Sequence, residues 1–137
     1  MKLNNRVKKI LTGKICPYCG RPSMLTDSAE VYHGRSYGPI YICRPCDAYV
    51  GCHKGTTKAL GRLANAELRY WKNQAHAAFD KLWKGKTKVM DRTTCYKFLS
   101  KKMEIPSKYT HIGMFKGESC KRVIEICNTL LLNLGKI

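Results

Sequence analysis

In the second half of the chain, apolar residues recur at three- and four-residue steps; in the first half they come in short clusters. Leu68, Trp71, Ala75, Ala78, Phe79 and Leu82 make one apolar stripe of helical period, which predicts an amphipathic helix over 63–83. Arg69, Lys72 and His76 share another face of that helix. Cys95, Phe98, Leu99 and Met103 predict a second helix over 93–103, with Asp91 or Thr93 as its N-cap and Pro106 just past its end. A third is predicted over 119–134, where Cys120, Val123, Ile124, Cys127, Leu131 and Leu134 share a face and Gly135 stops the helix. The loop before it, 104–117, is far longer than the three or four residues of a helix-turn-helix turn. In the first half, 23–31 and 37–42 are rich in strand-compatible residues around the turn His33-Gly34-Arg35-Ser36. The pattern therefore predicts an α+β chain: a β-hairpin followed by three helices.

The cysteines turn that hairpin into a metal module. Cys16-Pro17-Tyr18-Cys19 and Cys43-Arg44-Pro45-Cys46 are two Cys-x-x-Cys pairs separated by 23 residues. Two intervening residues let both thiolates of a pair face one ion from a tight turn, and Gly20 permits the backbone reversal behind the first pair. Four thiolates complete a tetrahedral shell with no open position for water, which is the chemistry of structural Zn2+. The expected fold is thus a four-cysteine, zinc-ribbon-like β-hairpin module followed by the three helices. Cys52 and His53 follow the second pair closely and are an alternative ligand source. Cys95, Cys120 and Cys127 read as small buried hydrophobes; with His111 they could also form a second site, although their spacing matches no zinc signature.

Charge changes the picture again. The 26 basic and 9 acidic residues leave a net charge of +17, an excess that attracts polyanions. Residues 1–14 hold five basic groups and no acidic one, whereas 15–57 are close to neutral. The expected organisation is a basic N-terminal arm (1–14), flexible or helical, a zinc-ribbon module (15–57) and a basic helical region (58–137). Phosphate contacts are expected from Lys2, Arg6, Lys8, Lys9, Arg62, Arg69 and Lys72, and base stacking from Tyr32, Arg35 and Tyr37. DNA or RNA is the expected partner, and a host protein complex the alternative. The oligomeric state has no sequence signal. The longest apolar run, 129–134, is too short to cross a bilayer. The basic first residues lack the apolar core of a signal peptide, so an intracellular, cytoplasmic setting and reduced thiols are expected.

The chain resembles a family of small zinc-finger-containing proteins of unknown function found in bacteria, phages and mobile elements. The likeness is carried by Cys16-Pro17-Tyr18-Cys19-Gly20, the block from Asp27-Ser28-Ala29-Glu30-Val31-Tyr32 to Gly38, and Ile42-Cys43-Arg44-Pro45-Cys46-Asp47-Ala48-Tyr49-Val50-Gly51. Further along it is carried by His53-Lys54-Gly55-Thr56, Leu60-Gly61-Arg62-Leu63-Ala64, Ala75-His76-Ala77-Ala78-Phe79-Asp80 and His111-Ile112-Gly113-Met114-Phe115. The resemblance implies the zinc site and a mobile-element origin, and it implies no activity. A weaker likeness is to phage junction-resolving endonucleases of the His-Me finger type, which place a catalytic histidine between two Cys-x-x-Cys pairs and hold a divalent metal nearby. His33 lies between the pairs and Asp47 follows the second, and His53, Asn65 and His76 offer another histidine–asparagine series. Tyr32 stands where that likeness expects an acidic metal ligand, and the hairpin between His33 and Cys43 is short.

Overall fold

A computed structural model describes residues 4–137 as two compact units, one ending at Ala66 and one running from Glu67 to Ile137. In the first unit, helix α1 (Asn5–Leu11) starts where the Asn4 side chain accepts the Val7 N–H at 2.8 Å, filling one of the bare donors of a helix start. Strands β1 (Met24–Asp27), β2 (Pro39–Cys43) and β3 (Ala48–Gly51) follow, and they form one antiparallel sheet in the order β1-β2-β3. Met24 faces Ile42 across the first pair, and Cys43 faces Ala48 across the second. Ile40, Ile42, Cys43 and Ala48 are buried, together with Leu63 and Ala64, while Met24 and Leu25 on the edge strand are exposed.

The hairpin expectation holds, with two differences. The first strand stops at Asp27 rather than at 31, because the Asp27 carboxylate accepts the Ala29 N–H at 2.7 Å and starts a 3-10 turn over Ser28–Glu30. Asp and Ser compete for backbone donors in this way and divert strands into turns. The third strand was not expected. Its free edge is taken by the returning chain: Tyr49 exchanges two backbone hydrogen bonds with Ala64, at 3.1 and 3.0 Å, and Leu60 N–H reaches Gly51 O at 2.9 Å. Residues beyond 57 thus continue the ribbon, and the long helix starts at Ala66 rather than 63 because Leu63 and Ala64 are already built into this unit's core.

The second unit contains α2 (Ala66–Trp83) from Glu67 onward, α3 (Arg92–Met103) and α4 (Gly117–Asn133). The Asp91 side chain caps α3 by accepting the Thr94 N–H at 2.7 Å. The buried positions of α2 are Leu68, Ala75, Ala78, Phe79 and Leu82, five of the six stripe residues. On α4 the buried face is Cys120, Val123, Ile126, Cys127 and Leu131. Ile124 is half-buried rather than central to that face, and Leu134 is exposed just past the helix end. Gly135 closes α4 at φ +68°, with Lys136 N–H reaching back to Leu131 O at 2.8 Å, the six-to-one bond of a Schellman cap. Among the described residues no helix is long and apolar enough to cross a membrane.

Candidate metal centre and nucleic-acid interface

Each Cys-x-x-Cys pair is held by its own backbone turn. In the first, Cys16 N–H donates to Arg21 O and Gly20 N–H donates to Cys16 O, both at 2.9 Å. Gly20 sits at φ +77°, a region that is cheap only for glycine. The second pair spans the β2–β3 connection, where Asp47 N–H donates to Arg44 O at 3.1 Å. Asp47 adopts φ +50°, so it takes the role that Gly20 has in the first turn. Aspartate is one of the few non-glycine residues that tolerate this conformation.

The two turns bring the sulfur atoms of Cys16, Cys19, Cys43 and Cys46 within 4.8 Å of one another. The Cys19 and Cys43 sulfurs are 3.6 Å apart, close to the ~3.8 Å edge of a tetrahedron with ~2.3 Å zinc–sulfur bonds. Four thiolates at that spacing fit structural Zn2+. Cys16 and Cys43 are buried under Ala48 and Leu63, and Cys19 is exposed. The surroundings treat the thiols unequally. The Arg21 backbone N–H lowers the Cys19 thiol to about 7. Burial pushes Cys46 up to about 12 and raises Cys43. Burial thus opposes negative charge on Cys43 and Cys46, a cost that a cation among the sulfurs would offset. The Arg6 guanidinium of α1 also lies at this turn, 3.2 Å from where a Cβ on Gly20 would stand.

The other candidate ligands do not assemble. Among the described residues, these four cysteines are the one group of three or more metal-binding side chains within reach of a common ion. Cys95, Cys120 and Cys127 are fully buried, and burial raises Cys95 and Cys127 to about 12, as expected of cysteines that pack as hydrophobes. His111 is exposed and lies against Tyr96, with ring centroids 5.2 Å apart. His33 is exposed in the turn at φ +56°. Cys52 is half-buried, and the His53 N–H donates to Lys58 O at 2.8 Å.

The residues expected to touch nucleic acid are spread over both units. Lys8 and Lys9 are exposed on α1, and Arg35 is exposed on the loop between β1 and β2. Lys2 lies outside the described residues. Arg62 and Arg69 are half-buried, and both have polar or electrostatic partners. Lys72 bends back within the second unit and donates to Gly113 O at 2.8 Å. Only its position on the helix was legible; the Gly113 carbonyl within its reach was not.

The loop around Arg35 is more ordered than its sequence suggests. Buried Ser28 accepts the Tyr37 N–H at 2.6 Å through its hydroxyl, and its own N–H donates to Gly38 O at 2.9 Å. Ser36 donates to the Asp27 carboxylate at 2.9 Å. This frame presents Tyr32 and Tyr37 edge to face, 5.2 Å apart, with Tyr49 6.3 Å from Tyr32. Tyr32 and Tyr37 remain 44% and 67% exposed. Glu30 and Arg44 close one side by a two-pronged ion pair at 2.7 and 2.8 Å.

A family model for a zinc-finger-containing domain matches residues 12–130. No curated protein and no solved structure matches the chain. The match spans both Cys-x-x-Cys turns, α2, α3 and most of α4, and the chain belongs to this family of zinc-finger-containing domains of unknown function.

Proposed function

We propose that this zinc-stabilised chain is a nucleic-acid-binding module. The observation that carries the reading is the exposed Tyr32–Tyr37 pair beside Arg35, framed by buried Ser28, on a chain of net charge +17. Every base has a face that can stack on an aromatic ring, and each such contact is worth about 1–3 kcal/mol. Exposed tyrosines held by a hydrogen-bonded frame lose little entropy when they stack, which favours binding. Lys8, Lys9, Arg35, Arg62, Arg69 and Lys72 are the proposed phosphate contacts, and zinc holds the ribbon that carries the stacking loop. The reading puts the module inside a cell, where reduced thiols persist, and in a phage or other mobile element, the setting the sequence resemblance implies.

The test is a mobility-shift series with zinc-loaded protein on single- and double-stranded DNA and RNA, across salt and with and without magnesium. A salt-sensitive shift without cleavage is the expected result, weakened by Tyr37→Ala. No shift at low salt would overturn the reading and point to a protein partner, such as a host defence or transcription complex. Magnesium-dependent cleavage abolished by His33→Ala would replace it with a nuclease.

A further inference from the structure

The segment 84–91, which joins α2 to α3, folds back on the end of α2. Lys84 N–H donates to Asp80 O at 3.0 Å, the Thr87 hydroxyl to Lys81 O at 2.7 Å, and both Val89 and Met90 N–H to Leu82 O at 2.9 and 3.1 Å. Gly85, at φ +76°, makes the reversal. The result is a shallow hollow of about 270 Å³ lined by Asp80, Lys81, Lys84, Lys86 and Thr87, together with Ala77 and Gly85. Lys88 follows in the same segment, and Arg92 opens α3.

A lysine-rich helix end usually needs no explanation, because cations there complement the helix dipole and cap its last carbonyls. Neither role accounts for this one. The dipole is equivalent to only about half a negative charge, and the carbonyls of Asp80, Lys81 and Leu82 already accept the donors just named. Over residues 80–92, five cations face two carboxylates, which leaves three positive charges uncompensated. Of the two carboxylates, Asp80 sits 3.4 Å from Lys84 and accepts the Trp83 indole N–H at 2.9 Å, while Asp91 caps α3. Lys84 Nζ and Arg92 Cζ both lie over the half-buried Trp83 ring, 5.1 and 5.9 Å from its centroid. The N-terminus of α3 adds its own positive pole to the same turn.

We propose that this turn is a seat for the phosphodiester backbone of a nucleic acid, with Lys81, Lys84 and Lys86 as its contacting cations. It rests on the nucleic-acid reading above and adds a site distinct from the ribbon loop. The hollow is shallow, so it suits a polymer laid across it. The concentrated charge binds backbone and carries no base preference. Duplex and single strand share this chemistry, and the test separates them.

The experiment measures fluorescence anisotropy of a labelled DNA duplex and its matching single strand, with full-length zinc-loaded protein over a salt series. The variant is K81Q/K84Q/K86Q, and the control is K97Q/K101Q/K102Q, which removes the same charge from exposed lysines of α3. Each phosphate contact contributes about 0.9 to the slope of log affinity against log salt on duplex and about 0.7 on single strand. The seat therefore predicts a slope reduced by about 2.7 or 2.1 on its preferred polymer in the first variant and by less than about 1 in the control. Equal reductions in both variants would reduce the effect to net charge and overturn the seat. Unchanged slopes in the first variant would also overturn it while leaving the nucleic-acid reading intact. Failure of the unsubstituted protein to bind either strand would remove both.

Discussion

Gly13 offers a quantitative test of how the first cysteine turn is seated. It follows α1 at φ +76°, and an added Cβ would lie 2.7 Å from Ala59 Cβ, 3.3 Å from Gly61 O and 3.4 Å from Val50 Cγ1. Its carbonyl accepts the Ser23 hydroxyl at 2.5 Å, and Ser23 N–H donates to Lys14 O at 2.9 Å, so it anchors the segment that carries Cys16 and Cys19. Gly13→Ala incurs two penalties. A left-handed backbone costs a non-glycine residue about 1–2 kcal/mol, and forcing a methyl into filled space costs about 1–3 kcal/mol. The stiffer unfolded chain returns about 0.4–1 kcal/mol, so a net loss near 3 kcal/mol is expected. Gly34 isolates the torsional part, since it sits at φ +89° with nothing within 4 Å of the added methyl; Gly34→Ala should lose about 1 kcal/mol or less. Both tryptophans, Trp71 and Trp83, lie in the second unit. Zinc release to a chromophoric chelator during urea unfolding is therefore the probe that reports on the first unit. With urea slopes of about 1–3 kcal/mol per molar, the Gly13→Ala midpoint should fall about 1–2 M below that of Gly34→Ala. Coincident midpoints would refute the close packing at Gly13.

Cys43→Ser should abolish zinc binding and unfold the ribbon, because structural zinc contributes folding free energy directly; a folded, zinc-free variant by circular dichroism would contradict this. Backbone and side-chain hydrogen bonds from Thr94 lower the Asp91 pKa. Its cap should therefore stabilise α3 fully above the ordinary carboxylate range, near pH ~4, and lose that contribution as pH falls through the lower folded-state value. Asp91→Asn keeps a capping oxygen, so tryptophan-monitored stability should depend less steeply on pH between about 2 and 5; an unchanged slope would count against the cap. Glu104 ends α3 at φ +57°, where glycine is the relaxed choice, so Glu104→Gly should raise stability by up to about 1 kcal/mol in urea unfolding. A loss would show that the Glu104 side chain matters more than its backbone.

The zinc site was legible because metal geometry constrains residue type and spacing more tightly than any propensity does. The helices were legible through period, and Gly135 and Asp91 marked their ends. What was missed lies in tertiary pairing. Ala48–Gly51 is too short to announce itself as a strand, and it becomes one by pairing along β2, while 59–64 returns to its other edge. Leu63 and Ala64 continued the helical pattern and yet belong to the ribbon, where the Ala64 backbone pairs with Tyr49. Asp27-Ser28 did carry a local turn signal inside the expected strand, but the order of the tyrosine loop depends on Ser28 bonding to Tyr37 and Gly38 at the far end of that loop. The hollow beside Lys81, Lys84 and Lys86 was not legible either, because the sequence shows their charge but not the fold-back of 84–91 that gathers it.

The most direct measurement is X-ray absorption at the zinc edge of the purified protein, together with metal content. The account predicts one zinc per chain with four sulfur neighbours at about 2.3 Å. A nitrogen in the shell, bringing in a histidine such as His53, or a chain that folds without zinc would contradict the Cys16, Cys19, Cys43 and Cys46 centre.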